Sequence, residues 1–165
     1  MAIAIAFLFV QGQLNDGVST DLLSQALILH TGIGLLVLLL LPLRIAVLRG
    51  RTLPPPDGAQ PWELKASHAA HRGMYALMMM VLATGVAQSF LNPVSVRPFG
   101  LFEMALLGGL FETLFDGLRL LHVWTASVLI AVAVVHAGAA LRQHFIKRTN
   151  VLSRMVPLLP PPRSR

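Results

Sequence analysis

Residues 120–141 read LLHVWTASVLIAVAVVHAGAAL, 22 residues without a formal charge, in which His122 and His136 are the only ionisable side chains. A helix needs about 20 predominantly apolar residues to cross the hydrocarbon core of a bilayer, so this run is long enough to span. An ionisable group inside a span costs free energy and is a functional hypothesis by default. The two histidines are 14 residues apart. On an α-helix that is about 21 Å of rise and roughly 40° short of four full turns. Both imidazoles therefore share one side of the helix, one towards each membrane surface. The surrounding residues are small: Ala126, Ser127, Ala131, Ala133, Ala137, Gly138, Ala139 and Ala140. Small side chains let a helix approach a flat ring or another helix closely. Imidazole is an axial ligand of haem iron, and two haems stacked across a bilayer need one ligand high and one low. Ordinary helix packing and a proton relay use the same residue types.

The rest of the chain agrees with a membrane class. Of 165 residues, 55% are hydrophobic and 12% charged, and the mean hydropathy is +0.70. Soluble domains carry about twice that charge, so a soluble enzyme, a nucleic-acid binder and a disordered chain are all disfavoured. With no cysteine, disulfides, iron–sulfur clusters and thiolate metal sites are excluded. Six histidines remain for metal chemistry: His30, His68, His71, His122, His136 and His144. Hydrophobic runs predict an all-α four-helix membrane bundle over residues 1–152, with spans at about 1–19, 22–48, 73–91 and 120–141, then a proline-rich basic tail at 153–165. The first run is short and has no basic start, which argues against a signal peptide. It reads as a span whose beginning precedes Met1. Residues 99–115 are apolar but broken by Glu103, Gly108, Gly109 and Glu112. They are expected to lie along the outer interface as an amphipathic helix.

Charge sets the orientation. Arg44, Arg49, Arg51, Lys65 and Arg72 outnumber Asp57 and Glu63 in one connection, and the tail from Arg142 holds six basic residues and no acid. Asp16 and Asp21 mark the first turn, and Arg97 and Arg119 are outnumbered by Glu103, Glu112 and Asp116 in the third connection. Basic loops stay inside, so the C-terminus is expected to be cytoplasmic. His30 then lies just inside the outer surface, level with His122, and the two can hold one haem from opposite sides. Gly32 and Gly34 leave room beside the ring. His136, at the inner level, needs a partner, and no histidine precedes His30.

These residues resemble a known family. LHTGIG at 29–34, the prolines at 54–56, HAAHRGMY at 68–75, Thr84-Gly85, His122, HAGAAL at 136–141, QHFIKR at 143–148 and VLSRMVP at 151–157 together are similar to the bacterial four-helix cytochrome b561 family of inner-membrane dihaem proteins. The resemblance covers nearly the whole chain. It implies bis-histidine haem b and electron transfer between quinone and a partner at the other membrane face. Superoxide is one donor proposed within the family. Carried over by position, His30 and His122 are the outer haem pair and His136 is one inner ligand. The family's other inner ligand would fall before Met1, so this chain departs from the pattern there.

His71, at the start of the third span and level with His136, is the best substitute ligand, with His68 one turn earlier on the same face. An interfacial polar cluster, or hydrogen bonding to haem propionates or a quinone, is favoured for both over ligation. Zinc at this pair alone is disfavoured, because zinc takes four ligands. His144 lies beyond the span and reads as interfacial. Arg72, Arg142 and Lys147 can pair with propionates, although a topological anchor suits Lys147 and Arg148 better. Arg44 can snorkel or reach a propionate. Met78, Met79 and Met80 are consecutive and cannot face one iron, so they read as packing. Trp62 and Trp124 read as interfacial anchors, and Tyr75 as an anchor or a hydrogen-bonding neighbour of the inner haem. The partners expected are membrane lipid and a quinone or redox protein, with a homodimer compatible and nucleic acid excluded. The rival class is a haem-free transporter or anchor subunit whose histidines carry protons or a metal ion.

Overall fold

The computed structural model describes residues 1–14, 19–49 and 60–147. It is all-α: α1 Ala2–Leu14, α2 Thr20–Arg49, α3 Pro61–Leu91 and α4 Glu112–Phe145, with a 3-10 turn, Pro98–Gly100, between the last two. The segments Asp21–Val47, Pro61–Leu91 and Glu112–Phe145 are long and apolar enough to cross a membrane, and α1 is shorter. Mid-helix apolar side chains point outward, with Leu39 72% and Val135 73% exposed. Such exposure is costly in water and suited to lipid. The proline-rich connection at 54–56, Arg148 and the tail at 153–165 lie outside the described residues.

The backbone and hydroxyl groups satisfy themselves within the helices. Thr31, Thr84, Ser89, Thr125 and Ser127 each donate to a carbonyl four residues earlier. That is the local solution for a hydroxyl with no water nearby. Pro42 sits inside α2, next to the fully buried Leu41. Helix α3 starts earlier than the charge-free run suggests. Pro61 occupies its first turn, and Glu63 accepts the backbone N–H of Gln60 at 3.0 Å. This is a capping-box arrangement with proline where its missing N–H costs nothing.

The chain divides into two compact units. The first comprises residues 1–50 and 77–130. There α1 is tied to α2 by Gln11 Nε2 donating to the Ala26 carbonyl at 2.6 Å. The connection from α3 to α4 belongs to this unit and is not the interfacial helix expected at 99–115. Phe99 has φ 50°, Gly100 φ 75° and Gly109 φ 78°, and those left-handed positions break any helix. Glu103 turns back into the loop, accepting from Ser95 Oγ at 2.7 Å, Arg97 Nε at 2.8 Å and the Val96 N–H at 3.1 Å. Those bonds, Ser95 first and then Arg97, hold its carboxyl at a pKa of about 2, below the ordinary 4.5. Val96, Pro98 and Met104 are buried beneath the loop. Helix resumes only at Glu112.

The second unit comprises residues 51–76 and 131–165. Its ends are joined by Glu63, which pairs with Lys147 and lies 3.9 Å from Arg142 Nη1. Helix α4 continues past Arg142 to Phe145, and His144 on it is only 9% exposed. Its ring packs edge-on against Phe145 at a centroid distance of 4.9 Å.

Candidate functional site

The first unit brings His30 of α2 and His122 of α4 together. Their ring centroids are 6.2 Å apart and the ring planes are inclined by 63°. An imidazole nitrogen binds a metal at about 2.0–2.1 Å and the ring centre lies roughly 1 Å behind it, so two imidazoles sharing one metal have centres about 6 Å apart. The observed separation matches that requirement.

His122 is oriented by α3. Its Nδ1 lies 2.9 Å from the Val81 carbonyl and 3.3 Å from Thr84 Oγ1. A carbonyl only accepts, so Nδ1 carries the proton and Nε2 keeps its lone pair. This is how metal-binding histidines are held in one tautomer. Gly85 makes the approach possible, because a Cβ there would sit 3.0 Å from His122 Cε1. Thr84-Gly85, part of the family pattern in the sequence, thus seats His122, a role that the pattern alone does not reveal.

His30 is set differently. Its Nδ1 is buried with no hydrogen-bond partner among the described residues. A buried unsatisfied polar atom costs about 1–3 kcal/mol, so a further group is expected at this ring. Gly12 of α1 approaches the His30 ring, its Cβ position lying 3.9 Å from Cε1. Gly34, one turn after His30 and so on nearly the same face, has open space where its Cβ would be. A flat macrocycle needs such a gap. Among the described residues no three His, Asp or Glu side chains cluster to hold an ion. Two imidazoles alone suit a metal that brings its other ligands with it, as haem iron does. The residues present fit that group.

The second unit contains His71 of α3 and His136 of α4. Here Nε2 faces Nε2 at 3.0 Å, with ring centroids 4.6 Å apart. Two metal–nitrogen bonds would need about 4 Å between the nitrogens. This pair is a direct hydrogen bond, and as arranged it does not fit an iron between its rings. His68 and Arg72 are both exposed on α3. Glu63, weighed in the sequence only as a loop charge, proves to be the acceptor that gathers Lys147 and Arg142. The capping pattern from Gln60 to Glu63 was the available signal for it.

Comparison with known proteins identifies the family of the chain. The sequence is 29% identical over 132 residues to cytochrome b561 homolog 2 of Escherichia coli K12, covering 78% of this chain and 69% of that protein. It is 30% identical over 130 residues to the probable superoxide oxidase CybB of Yersinia pestis, covering 78% and 73%. It is 28% identical over 172 aligned positions to cytochrome b561 homolog 1 of E. coli K12, covering 95% and 88%. The family described as prokaryotic cytochrome b561 matches residues 1–158. The histidines held between apolar helices thus lie in a chain that belongs to the prokaryotic cytochrome b561 family, a multi-pass membrane carrier of electrons on b-type haem.

Proposed function

We propose that His30 and His122 are the axial ligands of one haem b, and that the protein passes electrons between a small donor at one membrane face and quinone in the bilayer. The observation that supports this is the 6.2 Å separation of the two rings, with the His122 Nδ1 proton committed to Val81. Haem supplies one-electron chemistry when bound. The chain fixes the iron-facing nitrogen of His122, opens a gap beside Gly34 and surrounds both with apolar helix. Burial of that kind raises or lowers a potential by removing water from around the charge. Superoxide is the donor we favour, because the Yersinia relative is named for oxidising it. The basic connection between α2 and α3 and the basic end of α4 are assigned to the cytoplasmic side.

His136 is the candidate ligand of a second haem, with Arg72 a candidate to pair with a propionate. In this arrangement His71 engages the His136 Nε2, so we assign His71 to positioning that ring.

The direct test is the spectrum of purified membranes from an overexpressing strain. Oxidised and reduced bands of six-coordinate b-haem are expected, and they should disappear from this site in both His30→Ala and His122→Ala. A colourless wild-type protein would refute the electron-transfer reading and leave a haem-free transporter.

A further inference from the structure

The connection between α3 and α4 presents large apolar side chains on a rigid base. Leu106 and Leu110 are 68% and 69% exposed, and Phe102 and Phe111 are also more than half exposed. Looseness does not account for this. Glu103 ties four groups of the loop together. The Met104 N–H donates to Val96 O at 2.9 Å, and the Leu107 N–H to Phe90 O at 2.9 Å, which fastens the loop to the end of α3. Gly108 lies against the Asn92 carbonyl so closely that a Cβ would be 2.5 Å from the oxygen.

The loop also has a defined side. The Phe99 ring lies on Gly32, whose Cβ position is 2.6 Å from ring carbons. Gly32 is two residues after His30, which on a helix turns it about 200° away. Phe99 therefore seats the loop on the face of α2 opposite His30. Both ends of the loop run directly into helices long and apolar enough to span, so it must lie at a membrane surface. Arg97, the cation in this stretch, is neutralised by Glu103, which removes the charge that would resist entry into lipid.

We propose that this loop is a preformed lipid anchor, with Phe102, Leu106, Leu110 and Phe111 entering the boundary between headgroups and acyl chains of the adjacent leaflet. It would fix the depth of the outer ends of α3 and α4, and hence of His122. The occupant is phospholipid, by continuity with the lipid-facing surfaces of α3 and α4.

The absence of cysteine makes the test clean. Leu106→Cys and, separately, Leu110→Cys are labelled with a nitroxide in the haem-loaded protein and reconstituted in phosphatidylcholine–phosphatidylglycerol vesicles. Asn92→Cys, in the polar start of the loop, serves as the aqueous reference. Relaxation by oxygen, which concentrates in lipid, is compared with relaxation by a water-soluble nickel chelate. The expected result is an oxygen-to-nickel ratio several-fold higher at 106 and 110 than at 92. A ratio equal to that at 92 overturns the proposal. Spin–spin broadening between labels on different molecules would also overturn it, and would assign the face to a second copy of this chain.

Discussion

Each of the two histidine pairs takes one member from α4, and they end in different states. His30 and His122 stand 6.2 Å apart by ring centroid, with room between them. His71 and His136 touch through their nitrogens at 3.0 Å. The difference comes from what holds each ring. His122 donates its Nδ1–H to a helix carbonyl, so its other nitrogen is free to face a metal. His71 and His136 use their Nε2 atoms on one another. A hydrogen bond between side chains in a membrane averages about 0.6 kcal/mol and reaches roughly 2, so the second pair is closed by an amount that a ligand bond can overcome. The spacing of the first pair suits an iron between its rings, and that of the second does not.

The largest effect that separates the pairs is removal of a first-pair ligand. His122→Ala and His30→Ala should each abolish the haem held there, lowering bound haem by about one equivalent per chain. Pyridine haemochrome quantification against protein concentration measures it. Haem content equal to wild type in both variants would break the comparison at its root.

Next in size is the space beside the first pair. Gly34→Leu fills the opening one turn from His30, and Gly85→Ala places a methyl 3.0 Å from the His122 ring. Both should reduce haem occupancy without removing it, Gly34→Leu the more. Replacing a helical glycine gains up to about 0.8–1 kcal/mol in helix propensity, and nothing lies within 4 Å of the Gly34 Cβ position, so the haem-free form of Gly34→Leu should melt no lower than wild type by circular dichroism. Reduced haem with intact helix separates a cradle from a folding defect. Lower thermal stability with unchanged haem affinity would show that the open space is not used.

The second pair gives a smaller, sharper contrast. Any haem beyond the first equivalent should vanish in His136→Ala and remain in His71→Ala, because His71 is assigned to positioning. Reduced-minus-oxidised spectra with potentiometric titration resolve the two populations. Loss of that haem in His71→Ala would make His71 a ligand and require the 3.0 Å contact to open in the loaded protein. The first-pair spectrum should be unaffected in either variant.

Much of this contrast was legible in the chain because hydropathy and helical pitch act over long stretches. The uncharged run holding His122 and His136 requires a span, and equal depth from the outer surface suggests that His30 meets His122. What pitch does not encode is contact distance. The sequence offered His71 as a substitute at the level of His136, but nothing in it says whether iron or a hydrogen bond joins them. The pairing of Lys147 with Glu63 was hidden because the two lie some 80 residues apart and each reads as an isolated interfacial charge. The loop after α3 was misread as helix because its apolar spacing is compatible with one. Phe99 in a left-handed conformation is a tertiary outcome, seated on a glycine of another helix.

The smallest expected effect sharpens the comparison from outside the pairs, since the loop that carries it belongs to the unit of His30 and His122. Glu103 has a folded pKa of about 2 against an ordinary 4.5. A depressed carboxyl contributes stability that is complete above its unfolded pKa and lost as pH falls towards the folded value. The loop should therefore be equally ordered at pH 7 and pH 5, and should loosen as pH falls from about 4.5 towards about 2. A nitroxide at Leu106→Cys reads this as line narrowing over that window. Glu103→Gln should show the loosened line shape already at pH 7, because an amide oxygen cannot replace the ion pair with Arg97. Under the same acidification, the haem band of the first pair should outlast the ordering of the loop, if the His30–His122 cradle is built by α2, α3 and α4 alone. A haem band that collapses with the label's line shape would show that the loop holds the rings in place.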